Sequence, residues 1–144
     1  MNWLKSHHGY VSRFSNDIES HVNISKDGTV DTSKSNIIHD QFDIKLGKNE
    51  TSLPDFIKFQ NMAQLRIETE AKAIDLSNFG NAENVSVKGQ NLISVTGNKN
   101  VNIEFLKISA NNVNTIDLEK IGVENLEAHC PNVMLDKIKL PRNI

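Results

Sequence analysis

Five histidines and one cysteine are the residues of this chain best suited to hold a metal ion or to act as a nucleophile. The histidines are His7, His8, His21, His39 and His129. None of them shows the HxxxH or HExxH spacing that brings two imidazoles to one zinc ion. We therefore interpret these histidines as solvated side chains, and we expect neither a metal site nor a cofactor.

His129 and Cys130 are neighbours, and a cysteine beside a histidine can act as a nucleophile. Adjacent residues of a strand point to opposite faces, however, so this pair is badly placed to share a proton. The chain also lacks a glycine-rich phosphate loop and a GxSxG motif, since its seven glycines are spread singly. We therefore predict a protein that is not an enzyme.

An internal repeat organises the chain around these residues. The pattern apolar-x-apolar-x-x-polar starts at Ile44, Leu65, Val85, Leu106 and Leu126, with spacings of 21, 20, 21 and 20 residues. Apolar-x-apolar is typical of a short strand, and a unit with one short strand must stack on its copies to bury its apolar face. The sequence thus predicts, for residues 30–144, a β-dominated solenoid of parallel strands, one per 20–21 residues.

The sixth position of each copy follows the strand and is occupied by Asn49, Glu70, Gln90, Asn111 and Pro131. An asparagine at such a bend can use its amide to bond backbone groups that leave the strand ladder. Stacked copies would bring these side chains into line, so we expect a ladder of them along the solenoid.

The pattern resembles the leucine-rich repeat, L-x-L-x-x-N-x-L-x-x-L, over residues 42–140. The stretch LKISANNVNTI fits best, with Leu106, Ile108, Asn111, Val113 and Ile116 in the consensus slots. The segment ISKDGTVDTSKSNI resembles the lead-in of short leucine-rich-repeat proteins carried by tailed bacteriophages. A right-handed parallel β-helix with coils of similar length is the alternative fold. A period this short leaves room for extended or 3₁₀ segments on the convex side.

Residues 1–29 precede the repeat and carry apolar residues at helical spacing, namely Tyr10, Phe14, Ile18 and Val22. We predict an N-terminal helix that caps the first open edge of the solenoid. The start of the chain lacks a hydrophobic signal run, and no stretch approaches 18 apolar residues. With a single cysteine, this predicts a cytoplasmic protein, and the phage resemblance implies the host cytoplasm.

A strip of charged side chains is expected to face outward from the strands. Its members are Lys45, Lys48, Arg66, Glu68, Lys88, Lys107, Glu127 and His129. The whole chain has 16 basic and 18 acidic residues, which gives no reason to expect nucleic acid or a membrane as partner. The strip is either a solvated sheet face or a surface for an acidic protein, which its positive charge would attract.

These observations predict a monomeric, non-enzymatic protein–protein interaction module. The phage resemblance implies a host bacterial protein as the partner, which the module would inhibit or redirect. The alternatives are a phage structural or assembly β-solenoid and a carbohydrate-active β-helix. The last of these needs an aromatic platform, yet Trp3 and Tyr10, the only tryptophan and tyrosine, lie outside the repeats.

Overall fold

Strands dominate the structure, a computed structural model that describes residues 7–11, 23–24, 29–31, 41–54, 58–60, 62–77, 79, 82–97 and 101–141. In chain order the strands are β1 His8–Val11, β2 Asn23–Ile24, β3 Thr29–Asp31, β4 Gln41–Leu46, β5 Lys58–Gln60, β6 Met62–Thr69, β7 Ala73–Asp75, β8 Ala82–Lys88, β9 Ser94–Thr96, β10 Val101–Ser109, β11 Thr115–Asp117, β12 Ile121–His129 and β13 Ile138–Lys139. One turn of 3₁₀ helix, Leu135–Lys137, precedes β13.

Two of the sheets run along the repeat. The larger sheet has six strands in the order β1-β4-β6-β8-β10-β12, and β4 to β12 are parallel. The second sheet has four parallel strands in the order β13-β11-β9-β7. From β6 onwards, each coil passes through both sheets and returns one strand further along, which confirms the predicted solenoid of parallel strands. Strands β2, β3 and β5 form a third, small sheet.

The core lies between the two long sheets and is built from stacked rows of alternate strand residues. One row of register partners is Leu65, Val85, Leu106 and Leu126, and a second is Ile44, Ile67, Val87, Ile108 and Ala128. Ile74, Val95, Ile116 and Ile138 form the facing row. Burial of these side chains stabilises each coil only when its neighbour is in place, because the apolar row of one strand packs on the next.

The first copy of the repeat begins two residues earlier than the pattern predicts. Leu65 pairs with Phe42, and Ile44 pairs with Ile67, so the first spacing is 23 residues rather than 21. A shift of two residues keeps every side chain on the same face of a strand. The apolar pattern alone therefore does not distinguish the two alignments.

The prediction of an N-terminal helix is wrong at Tyr10, the first of the four apolar residues at helical spacing. Tyr10 lies in β1, which pairs antiparallel with β4 at the edge of the six-stranded sheet. Phe14, Ile18 and Val22 lie outside the described residues. The boundary expected between residues 29 and 30 falls within β3, whose three residues pair in parallel with β5. Backbone pairing with the solenoid takes precedence here over a short helical spacing.

A ladder of asparagine amides follows the main strands, one position later than expected. The Nδ2 groups of Asn91, Asn112 and Asn132 donate to the carbonyls of Glu70, Gln90 and Asn111, over 3.4, 2.8 and 2.6 Å. Each bond joins the turn of one coil to the same turn of the preceding coil. The sixth-slot residues thus contribute their backbone carbonyls to the ladder, and the seventh-slot residues contribute their side chains.

A second set of turns follows the four-stranded sheet. The carboxylate of Asp75 accepts the Ser77 N–H at 2.9 Å, and that of Asp117 accepts the Glu119 N–H at 3.3 Å, two coils further on. An aspartate that bonds the backbone two residues ahead is a common way of closing a turn. Gly97 follows β9 in the intervening coil, where its lack of a side chain makes room for a side chain of the next coil.

Candidate interaction surface

The outer face of the six-stranded sheet presents two rows of side chains along the solenoid axis. In register order the first row is Asp43, Arg66, Ser86, Lys107 and Glu127, and the second is Lys45, Glu68, Lys88, Ser109 and His129. We call these two rows the outer face. Seven of the eight residues predicted for the strip lie on it, whereas Lys48 lies in the turn after β4 and is exposed there.

The order of charges on the outer face differs from the predicted strip. Lys45 lies beside Glu68, not beside Arg66, because the first copy is shifted by two residues. Arg66 instead lies beside Asp43, and its Nη2 is 2.8 Å from Asp43 Oδ2. This hydrogen bond is the largest cause of the raised pKa of Arg66. The face is therefore mixed in charge at the end where β4 lies, and is not uniformly basic.

At the other end, Glu127 and His129 contact each other through Oε1 and Nε2. This hydrogen bond is the largest cause of the lowered pKa of Glu127, and the nearby charge of Lys107 lowers it further. Both side chains are exposed, so screening by solvent keeps the contribution of the pair to stability small. The carboxylates at both ends of the first row thus each have a hydrogen-bond partner within the face.

The outer face has three further basic side chains, one on each of β4, β8 and β10. Lys45, Lys88 and Lys107 form no salt bridge with any residue in the described part of the chain. Lys45 and Lys88 flank Glu68 in register and line a groove of about 650 Å³ that extends over the neighbouring turns. Glu68 and Glu127 are the register neighbours of these lysines, but neither carboxylate forms a salt bridge with them. The three ammonium groups therefore stay available to attract an acidic surface.

A third row beside these two contains a residue that the sequence analysis missed. Gln64, Asn84, Phe105 and Asn125 are register partners, so one aromatic side chain stands in an otherwise polar row. Phe105 is half-buried and lines a groove of about 330 Å³ together with Arg66, Ser86 and Lys107. The signal was present in the sequence, because the slot before the first apolar strand residue is polar in the copies on either side.

The residues considered for catalysis do not come together. His129 is exposed, whereas Cys130 is buried, and this burial raises the pKa of the thiol. His7 lies 2.8 Å from the Glu50 carboxylate at the turn after β4. Within the described ranges, no three His, Cys, Asp or Glu side chains lie close enough to hold one metal ion. His8, His21 and His39 have no described side chain.

No known family model, curated protein or solved structure matches this chain. Among the described residues, the structure contains no helix that is long and apolar enough to cross a membrane.

Proposed function

We propose that this protein is a non-enzymatic interaction module that binds an acidic partner protein through the outer face and the adjoining Phe105. The observation that carries the proposal is the half-buried Phe105 in a polar row, in one groove with Arg66 and Lys107. Aromatic and arginine side chains in partly desolvated pockets supply most of the binding energy of many protein interfaces. The site fits an apolar side chain of the partner that is surrounded by carboxylates.

The lysines that form no salt bridge have a separate role in this proposal. Lys45 and Lys88 lie further along the outer face than Phe105 and would meet the rim of the interface. Rim charges raise the rate of association more than the affinity, and salt screens them. For binding through the outer face, Phe105 should therefore determine mainly the dissociation rate of the complex, and the lysines mainly its association rate.

We further propose that the partner is a bacterial host protein met in the host cytoplasm, which the module inhibits or redirects. This step is supported by the resemblance of the repeat, and of the segment ISKDGTVDTSKSNI, to short leucine-rich-repeat proteins of tailed bacteriophages.

The experiment compares capture of proteins from bacterial lysate by the tagged wild type and by Phe105→Asn. Asparagine is the residue that the repeat itself uses at the equivalent positions 84 and 125, so the fold should be retained. The matched control is Ile93→Asn, which removes an apolar side chain that is 38% exposed on another part of the surface. We expect Phe105→Asn to lose a partner that the wild type and the control both retain. Equal capture by all three proteins would refute the proposed site.

A further inference from the structure

The end of the solenoid formed by the last coil leaves core positions uncovered. Leu118 is fully buried, whereas Leu140, which follows the register partner of Asp117 in the last coil, is 53% exposed. Ile108 is fully buried, whereas its partner Ala128 is exposed. These side chains occupy core slots, and they are exposed because no described coil lies beyond them. Within the described residues, this end is therefore an apolar surface that no other strand covers.

The backbone at this end is also ready to accept another strand. β12 is an outermost strand of the six-stranded sheet, and no described strand pairs with its outer edge. The His129 carbonyl accepts the Ala110 N–H at 3.1 Å, so the peptide groups of His129 face β10. Alternate residues of a strand direct their peptide groups to opposite sides. Leu126 and Ala128 therefore direct theirs outward, where a further strand could bond them.

We propose that a second copy of this chain covers this end, with the two β12 strands antiparallel about a two-fold axis that passes through Ala128. A two-fold axis uses the same patch of both copies, so the patch must be complementary to itself. In this register Glu127 of each copy lies opposite His129 of the other, on the outer face. A carboxylate and an imidazole directly across an antiparallel pair can form a hydrogen bond, whereas like charges there destabilise the pair. Other registers centred on this strand lose this match, and one centred on Glu127 sets two glutamates face to face.

Two further features of the chain favour this pairing. Ala128 is the smallest residue of its core row, so two backbones can approach closely at the proposed axis. At the opposite edge of the same sheet, the antiparallel strand β1 already covers β4. A head-to-tail stack of parallel coils would need β4 to be free, whereas a two-fold pair of β12 strands leaves that end unchanged.

The test uses two variants that carry opposite charges at the proposed contact. The first is Glu127→Lys/His129→Lys, and the second is His129→Glu. Each alone sets like charges opposite one another in a homodimer, whereas an equimolar mixture allows a heterodimer in which lysines face glutamates. The two side chains within one copy repel each other in every case. Recovery on mixing therefore reports contacts between copies only.

Sedimentation velocity between about 1 and about 100 µM measures the dissociation constant of each protein. We expect the wild type to be a dimer, and each variant alone to have a dissociation constant raised about tenfold or more. The mixture should have a dissociation constant close to that of the wild type. The control pair places the same charges on the inner strand β8, as Ser86→Lys and as Ser86→Glu/Lys88→Glu. Both controls should dimerise like the wild type, since their rows are flanked by strands of the same chain.

A wild type that stays monomeric over this range would overturn the proposal and leave the end to another protein or to further chain. A dimer that ignores the charges at residues 127 and 129, or variants that fail to recover on mixing, would also overturn it. Binding of an acidic partner through the outer face does not depend on these results, because Phe105 and the dimer contact can be changed separately.

Discussion

Replacing Gly97 by alanine tests whether successive coils stack in the register described above. A Cβ at residue 97 would lie 2.2 Å from Cγ1 and 2.4 Å from Cδ1 of Ile121, which belongs to the next coil. Ile121 is fully buried, so its side chain cannot move into solvent. Overpacking costs about 1–3 kcal/mol, and the reduced freedom of the unfolded chain offsets about 0.4–1 kcal/mol of that cost. We expect Gly97→Ala to lower the free energy of unfolding by about 1–2 kcal/mol.

A double-mutant cycle assigns this cost to the contact. Ile121→Ala alone should destabilise by about 2–5 kcal/mol, as removal of a buried isoleucine does. In the double variant the overlap is gone, so adding Gly97→Ala should cost nothing further, and the coupling energy should equal the cost in the wild type, about 1–2 kcal/mol. Urea unfolding followed by far-UV circular dichroism measures all four proteins, with equal m-values as the check for two-state behaviour. Additive effects would refute the stacking of Ile121 over Gly97.

Other predictions concern the core, the ladder and the charged rows. Ile108→Ala should destabilise by about 2–4 kcal/mol and Glu119→Ala by no more than about 0.5 kcal/mol in urea unfolding, and equal effects would contradict the register. Asn112→Ala should cost about 0.5–1.5 kcal/mol in the same assay, because its amide bonds the preceding coil; an unchanged midpoint would show that the ladder is not stabilising. His129→Ala should raise the pKa of Glu127 in an NMR titration, since their hydrogen bond is the main cause of its lowering. Because the pKa of Glu127 is lowered in the folded state, the stabilisation from this pair is present above the unfolded pKa and is lost as pH falls through the folded pKa. An unchanged pKa of Glu127 in His129→Ala would show that the pair does not cause the lowering.

The repeat could be predicted from the sequence because stacked coils place apolar residues at a fixed spacing. The row from Leu65 to Leu126 keeps that spacing without insertions. The first coil is longer, and a two-residue shift leaves its apolar alternation unchanged, so the position of Phe42 was not apparent. Because of the same shift, Asp43 was not predicted to lie beside Arg66. The predicted strip was therefore more basic than the outer face that the structure shows.

The remaining differences have local causes. The residues from Tyr10 to Val22 are spaced as on a helix, but Tyr10 gains strand pairing with β4, which a single-sequence pattern does not register. Phe105 could not be predicted from the repeat pattern, because that pattern is defined by the two core residues of each strand, whereas the informative feature is an apolar residue in a polar slot. The open end at β12 depends on the absence of a following described coil, which becomes visible only once the coils are stacked.

The proposed role of the outer face is tested most directly with the double variant Lys88→Gln/Lys107→Gln. The measurement is how the rate at which the partner associates with this variant depends on salt. Glutamine removes both charges without setting new glutamates beside Glu68 and Glu127, as a reversal to glutamate would. The control, Lys72→Gln/Lys137→Gln, makes the same change in net charge at exposed residues away from the outer face.

The captured partner serves as the immobilised ligand, and association rates are measured from low to high salt. We expect the outer-face variant to associate about tenfold more slowly at low salt and to lose most of its salt dependence, with an unchanged melting temperature. The control should behave like the wild type. Association of the outer-face variant at the wild-type rate and with the wild-type salt dependence would contradict the assignment of the binding surface to the outer face.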